Sequence, residues 1–446
     1  MREGELMKLP TKKPKIAILS IRNTYDYGGV LTSLKIIYKF CSIYFEPTVF
    51  FLGFDKEIAA SLRSFKFVSS TKPLTYFGMN CVEIGARWAF WEPGHYKFTA
   101  SEWKKQLEGF DYFFAVSGTC IAAHPLIQLN KKFAMWVSTP YDDDRSERVK
   151  KLTGIYAFID KVASPFMHRI EKKILARSSF IFALSNYSKV QFERILGKPR
   201  QNMVLCGFPM DPKIKELRTP PLEHVIIAVG RFSDPRKNID MLIRAFEKIS
   251  DALPESKLYV VGQKPSDEKL RSFAQQYKNF KKVTFTGQVS QADLTHLYRT
   301  ASLMLITSHQ EGLGIVGLEA LSYGIPIVAT NCGGPRDYVI ENHTGYLASI
   351  DNDTCMAQKT IKILKNPELH AKMMRNAVQF ITDNLATEKI HAIFKHGLLT
   401  TYPGLESWFD ECNKMNQKIH GAQRDPGSPA YTTNQSQKSS APEQSV

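Results

Sequence analysis

Ser308-His-Gln-Glu-Gly-Leu-Gly-Ile-Val-Gly-Leu-Glu-Ala-Leu-Ser-Tyr-Gly-Ile-Pro326 is the stretch on which the reading of this chain turns. An apolar run, Leu303–Thr307, precedes it with the character of a buried strand. Gly312 and Gly314 then let the backbone approach a ligand closely. A helix is expected to start there, with free N–H groups able to receive phosphate oxygens. Gly324 takes the place of a C′ residue, and Pro326 prevents continuation. Strand, glycine loop and helix in succession are the unit of an α/β domain. Two carboxylates, Glu311 and Glu319, stand eight residues apart. Along a helix that is roughly 12 Å of rise. Paired glycosidase carboxyls flank one bond at about 5–9.5 Å, so these two are not read as a hydrolytic pair. They suit two parts of a long ligand, a sugar hydroxyl at one end and a ribose at the other.

Working outward, the same alternation fills the second half. Strand candidates are His224–Gly230, Lys257–Gly262, Val283–Gly287 and Ile325–Thr330, with helical stretches between. The first half repeats it: Lys15–Ser20, then Gly28-Gly29 opening the helical stretch Val30–Phe40, then Pro47–Leu52, Tyr112–Val116, Phe133–Ser138 and Phe180–Ser185. The fold class is therefore α/β, with two Rossmann-like domains facing across a cleft. Residues 1–13 read as a flexible N-terminus, 14–207 as the first domain and 208–222, rich in proline, as a linker. Residues 223–390 are the second domain, 391–420 a helical segment packing back on the first, and 421–446 a polar, disordered tail. Ligands of open α/β sheets bind beyond the carboxyl ends of the strands.

A second motif lies in that place. Val229-Gly-Arg-Phe-Ser-Asp-Pro-Arg-Lys-Asn-Ile-Asp240 sets Arg231 and Lys237 on a short loop after a strand. Two fixed cations there suit a diphosphate, and Asn238 and Asp240 are candidate caps for the next helix. Taken alone, the loop could equally be a solvated basic turn.

Together the two motifs resemble those of retaining GT-B glycosyltransferases of the family-4 type. The pattern is a Glu, seven residues and a Glu (Glu311 to Glu319), preceded by a Gly-Arg…Lys loop (Gly230-Arg231…Lys237) and followed by Gly333-Gly-Pro-Arg-Asp-Tyr-Val339. Gly28-Gly29, Leu184–Lys189 and Phe285–Ser290 echo further parts, so the resemblance spans about residues 15–390. It implies that Arg231 and Lys237 neutralise a donor diphosphate, that Glu319 holds ribose hydroxyls and that Glu311 holds the donor sugar. It also implies that the backbone from Gly312 through Leu313 and Gly314 to Ile315 meets sugar and phosphates. Gly28 and Gly29 approach the diphosphate from the other domain, with Gly230 beside it, and the loop at Gln288 faces the base. The donor is a substrate; no cofactor and no metal are expected, since cations and a helix terminus supply the charge. Many members carry a His after the strand read here as Phe133–Ser138, where this chain has Ser138-Thr-Pro-Tyr-Asp142. His124 is the alternative candidate for contact with the reacting sugar. Cys206 stands in place of the usual Asn before the linker.

Composition limits the partners. The 446 residues carry a net charge of +16, and residues 1–222 hold 34 Lys+Arg against 20 Asp+Glu, a net of +14. The excess belongs to the half expected to bind the acceptor. It points to a glycan or anionic lipid-linked acceptor, or to an anionic membrane surface, with nucleic acid the weakest option. Phe166–Arg177, apolar at 166, 170 and 174 with basic residues between, is a core helix or one lying on such a surface. The aromatic stretch Arg87–Tyr96 is an acceptor-lining segment or a buried plug. Seven scattered cysteines without a CxxC pair fit reduced thiols, and neither a secretory leader nor a spanning segment is read. The expectation is a cytoplasmic enzyme, peripheral on the inner face of a membrane where it meets one. The competing readings are a phosphorylase or sugar-nucleotide epimerase of the same shape, or a binding module with an inactive donor site.

Overall fold

The computed structural model describes residues 13–22, 28–53, 58–59, 69–86, 100–150, 152–214, 216–217 and 224–422. These fall into two compact units divided between Pro403 and Gly404. The stretch Arg87–Tyr96 lies outside the described residues, as do residues 1–12 and 423–446.

The first unit begins with β1 (Lys15–Ile21), α1 (Gly29–Tyr44), β2 (Glu46–Gly53), β3 (Thr71–Tyr76), β4 (Met79–Gly85), α2 (Ala100–Gln106) and β5 (Tyr112–Ser117). It continues through α3 (His124–Gln128), β6 (Ala134–Val137), α4 (Tyr141–Val149), α5 (Gly154–Arg177), β7 (Phe180–Ala183), α6 (Asn186–Leu196) and β8 (Met203–Leu205). These eight strands form one sheet in the order β3-β4-β2-β1-β5-β6-β7-β8. All neighbours are parallel except the β3–β4 hairpin at the edge. The central strands are continuous apolar runs because helices cover both faces of a parallel sheet; Ile16 to Leu19 are fully buried.

A second sheet follows: β9 (Val225–Val229), α7 (Ile239–Ala252), β10 (Lys257–Val261), α8 (Asp267–Gln276), β11 (Val283–Gly287), α9 (Gln291–Thr300), β12 (Leu303–Ile306), α10 (Ile315–Ser322), β13 (Ile327–Thr330) and β14 (Gly345–Ala348). Its order is β11-β10-β9-β12-β13-β14, parallel throughout. Helices α11 (Asp353–Leu364), α12 (Pro367–Leu385) and α13 (Thr387–Thr401) complete the unit. On α13, Phe394 packs against Phe40, Trp136 and Phe182 with ring centroids 5.0–5.3 Å apart, so the chain returns to the first sheet. The Tyr402 hydroxyl donates to the Lys132 carbonyl at 2.6 Å. The second unit is built on α14 (Glu406–Ala422).

Each sheet reverses its winding at one place. β1 lies between β2 and β5, and β9 lies between β10 and β12. Loops that leave neighbouring strands there diverge to opposite faces and leave a crevice. Gly28-Gly29 follows β1, Gly230-Arg231 follows β9 and Ser308–Gly314 follows β12.

Candidate functional site

Those three loops line one cavity of about 770 Å³. The first sheet contributes Gly28, Gly29, Ser138, Thr139 and Asp144 among others. The second contributes Gly230, Arg231, Arg236, Lys237, Gln288, Glu311, Gly312, Leu313, Gly314, Ile315 and Glu319. Twelve of the thirteen residues expected at the site from sequence therefore converge on it, from positions almost 300 residues apart. His124 does not line it. It begins α3 and is buried among Cys120–Ala123 and Leu126 of the first sheet's core. A strand-end position alone did not reveal this, because the turn after β5 winds inward.

Glu311 sits in the loop before α10, not on the helix. The eight-residue spacing is thus partly loop, and the straight helical rise does not apply. The Glu311 backbone is held on both sides: its N–H donates to the Cys332 carbonyl at 3.0 Å and its carbonyl accepts from Gly334 N–H at 2.9 Å. The segment Gly333–Val339 is therefore a brace for the glutamate loop. The Glu311 carboxylate forms an ion pair with Lys237 Nζ and accepts from Ser308 Oγ at 2.7 Å. Sequence reasoning gave these two residues separate tasks; folding couples them across 74 positions.

Helix α10 opens at Gly314, whose φ of 79° is left-handed and costs a glycine little. No side chain caps this N-terminus and its first turn holds no acid. Its leading amides and the positive end of its dipole remain available to an anion. One face deeper, Glu319 accepts a hydrogen bond from Tyr298 Oη at 2.9 Å. Burial raises the Glu319 carboxyl above its usual range, and the Tyr298 hydrogen bond only partly opposes this. Gly324 has φ 70° and closes the helix as the spacing predicts.

The Arg231–Lys237 segment ends in a short 3-10 turn, Pro235–Lys237, capped by Asp234, which accepts from Arg236 N–H at 3.0 Å. Asn238, at φ 48°, then caps α7 by accepting from Met241 N–H at 3.2 Å. Asp240 does not cap; it pairs with Lys269 at 2.5 Å. Arg231 reaches Asp234 only at 3.4 Å, whereas Arg236 binds it at 2.8 Å. Burial disfavours the Asp234 charge, but Arg236 and then Arg231 overcome that and hold its carboxyl below the ordinary value.

Arg236, which the sequence reading passed over, also reaches Asp144 of α4 at 3.5 Å, from one sheet's loops to the other's. Gly312 marks a second approach between them. A Cβ there would stand 2.9 Å from Thr139 Cγ2 and 3.2 Å from the Ser138 carbonyl oxygen. Ser138-Thr139 occupies the strand end where a histidine was sought. Gly28 and Gly29 are different: a Cβ on Gly29 would meet no atom of the protein within 4 Å. Among the described residues none fills the space that this glycine leaves.

Residues 210–380 match the family described as Glycosyl transferases group 1. Over 256 residues the chain is 26% identical to N-acetyl-alpha-D-glucosaminyl L-malate synthase of Bacillus anthracis, covering 55% of this chain and 66% of that protein. The chain spans 41–66% of the length of three such curated relatives. Among solved structures, sucrose-phosphate synthase of Thermosynechococcus elongatus superposes with a TM-score of 0.63 at 17% identity, covering 92% of this chain and all of that one. HepE of Anabaena, solved in complex with UDP and glucose, gives 0.61 at 17% identity over 86% and 99% of the chains. The fold is that of the GT-B glycosyltransferases. The second half of the chain carries a group 1 glycosyltransferase domain.

Proposed function

We propose that the chain transfers a hexose from a nucleotide diphosphate sugar to an acceptor hydroxyl on a glycan or glycolipid, with retention of configuration and without a divalent metal. The observation that carries this reading is the convergence, in one cavity, of Arg231, Lys237, the uncapped start of α10, Glu311 and Glu319. Arg231 and Lys237 meet the diphosphate, together with the amides near Ile315. Their fixed positive charge stabilises the leaving group as its bond to the sugar breaks, at no cost of reorganisation. Glu311 orients the sugar hydroxyls and, through its ion pair, the Lys237 ammonium. Glu319 receives the ribose hydroxyls, and Gln288 lies on the side of the base. Gly28-Gly29 leaves room for the phosphates from the first sheet. Holding donor and acceptor between two sheets supplies proximity. The acceptor hydroxyl attacks on the face the diphosphate leaves, its proton passing to a departing phosphate oxygen. The neighbour solved with UDP and glucose supports a nucleotide-sugar donor.

A thermal-shift panel of UDP-, GDP- and ADP-sugars tests the donor, because a ligand bound only by the native state raises the midpoint by mass action. Donor turnover should persist in excess EDTA. No shift and no turnover with any donor, in a folded protein, would refute the reading.

A further inference from the structure

Among the described residues, ten large apolar side chains are exposed, and five of them stand on α5: Ile155 (64%), Tyr156 (69%), Phe158 (63%), Val162 (46%) and Phe166 (43%). Scattered apolar residues on a surface need no explanation; a run on one helix half does. Positions 155, 158, 162 and 166 follow steps of three and four, so they form one stripe. The stripe continues into Arg169 and Lys173, with Arg169 over the Phe166 ring at 5.9 Å. The opposite face of the helix is the one that packs: Ala163, Met167, Glu171, Ile174 and Leu175 are buried. The sequence offered a core helix or a surface helix for Phe166–Arg177; there Ile174 is buried and Phe166 exposed, and most of the stripe lies before that segment. Its later half is core on one side, and its earlier half carries the exposed stripe.

The exposed charges that the helix itself carries are of one sign. Lys161, Arg169, Lys172, Lys173 and Arg177 are exposed, whereas Asp160 pairs with Arg145 and Glu171 is buried. A second copy of the chain would bring these cations against their equals. An anionic bilayer would instead accept the apolar stripe among its headgroups and attract the flanking cations.

We propose that the first half of α5 is a docking surface for an anionic lipid bilayer. The surface is tied to the cleft: Arg145–Asp160 and His168–Asp142, the latter at 2.7 Å, join α5 to α4, and Asp144 of α4 lines the cavity. Docking stands on exposure and charge alone. Its consequence, that an acceptor carried in the bilayer is delivered beside the donor cleft, rests on the transferase reading.

The test is sedimentation of the full chain with vesicles of phosphatidylcholine alone and of phosphatidylcholine mixed with phosphatidylglycerol. Two variants are compared, Ile155→Ser/Phe158→Ser/Val162→Ser and Arg169→Glu/Lys173→Glu. Since each cation near such a surface contributes about one kcal/mol, reversing two should weaken binding by more than about tenfold. The apolar variant should lose at least as much, and raised salt should weaken the wild type. Far-UV circular dichroism and the nucleotide-induced thermal shift of each variant monitor folding and the donor site separately. Absence of wild-type binding to anionic vesicles overturns the proposal, as does unchanged binding by either folded variant. So does a wild-type dimer that the apolar variant converts to monomer, which would make the stripe a contact between copies.

Discussion

Replacing Lys237 by alanine separates what the Lys237–Glu311 pair does for the fold from what it does for the reaction. The two side chains are 19% and 12% exposed, so little water remains to solvate a lone charge. With the lysine gone, Glu311 keeps only Ser308 Oγ, at 2.7 Å, as a partner for its Oε1. Breaking a fully buried pair costs about 3–5 kcal/mol; at this exposure about 1–3 kcal/mol is expected, read from urea unfolding. For the reaction, losing one fixed donor to the leaving diphosphate should lower kcat about 10²–10³-fold. The double variant Lys237→Ala/Glu311→Gln removes the stranded charge. Stability should then recover most of its loss, since two neutral partners avoid the desolvation cost. Turnover should stay down, because the diphosphate still lacks its cation. A double variant that regains turnover along with stability would show that the lysine serves only to neutralise Glu311, and the assignment of Lys237 to the donor would fail.

Three further outcomes follow from the same geometry. Glu319→Gln removes a carboxylate that already sits above its normal pKa through burial; donor KM should rise about 10–100-fold, the worth of a hydrogen bond to a charged group, with kcat less affected in steady-state kinetics. Gly29→Ala should leave the melting midpoint unchanged, because its Cβ meets no protein atom within 4 Å, yet weaken donor binding in calorimetry; a stability loss with donor affinity intact would contradict the space being the ligand's. Glu171 of α5 is raised from 4.5 to about 7, first by burial, against the hydrogen bond from Tyr141 N–H. Between those pH values the unfolded chain ionises it while the folded protein keeps it protonated, so stability falls as pH rises through the window. Glu171→Gln should therefore gain about 1–3 kcal/mol at pH 8 and little at pH 5. Equal gains at both pH values in urea titrations would rule out burial as the cause.

The strands most readily read from sequence are those buried on both faces. β1, β5, β9 and β12 show as apolar runs because helices cover both faces, with Ser20 and Ser117 the buried polar residues near the ends of the first two. β3, with Lys72 and Pro73 in six residues, sits at an edge where proline is permitted, and it gave no such signal. β8, three residues ending on the exposed Leu205, and β14, Gly345-Tyr-Leu-Ala348 with its leading glycine, present no run of branched apolar residues. Helix boundaries marked by glycine conformation were legible: Gly314 and Gly324 both adopt positive φ where the spacing required it. Arg236 was legible only as the partner of Asp234, two residues away; its reach to Asp144, 92 residues earlier, is a product of the fold.

From its sequence alone this chain declares two α/β halves, the loops that follow their strands and the residue types gathered on those loops, because local periodicity and glycine placement are short-range properties. The tertiary structure decided what those residues face. It coupled Lys237 to Glu311, seated Glu319 against Tyr298, drew His124 into a core and turned the apolar stripe of α5 outward. Those outcomes depend on which sheet edge, loop or helix face arrives from far along the chain, and on how much water is left between them.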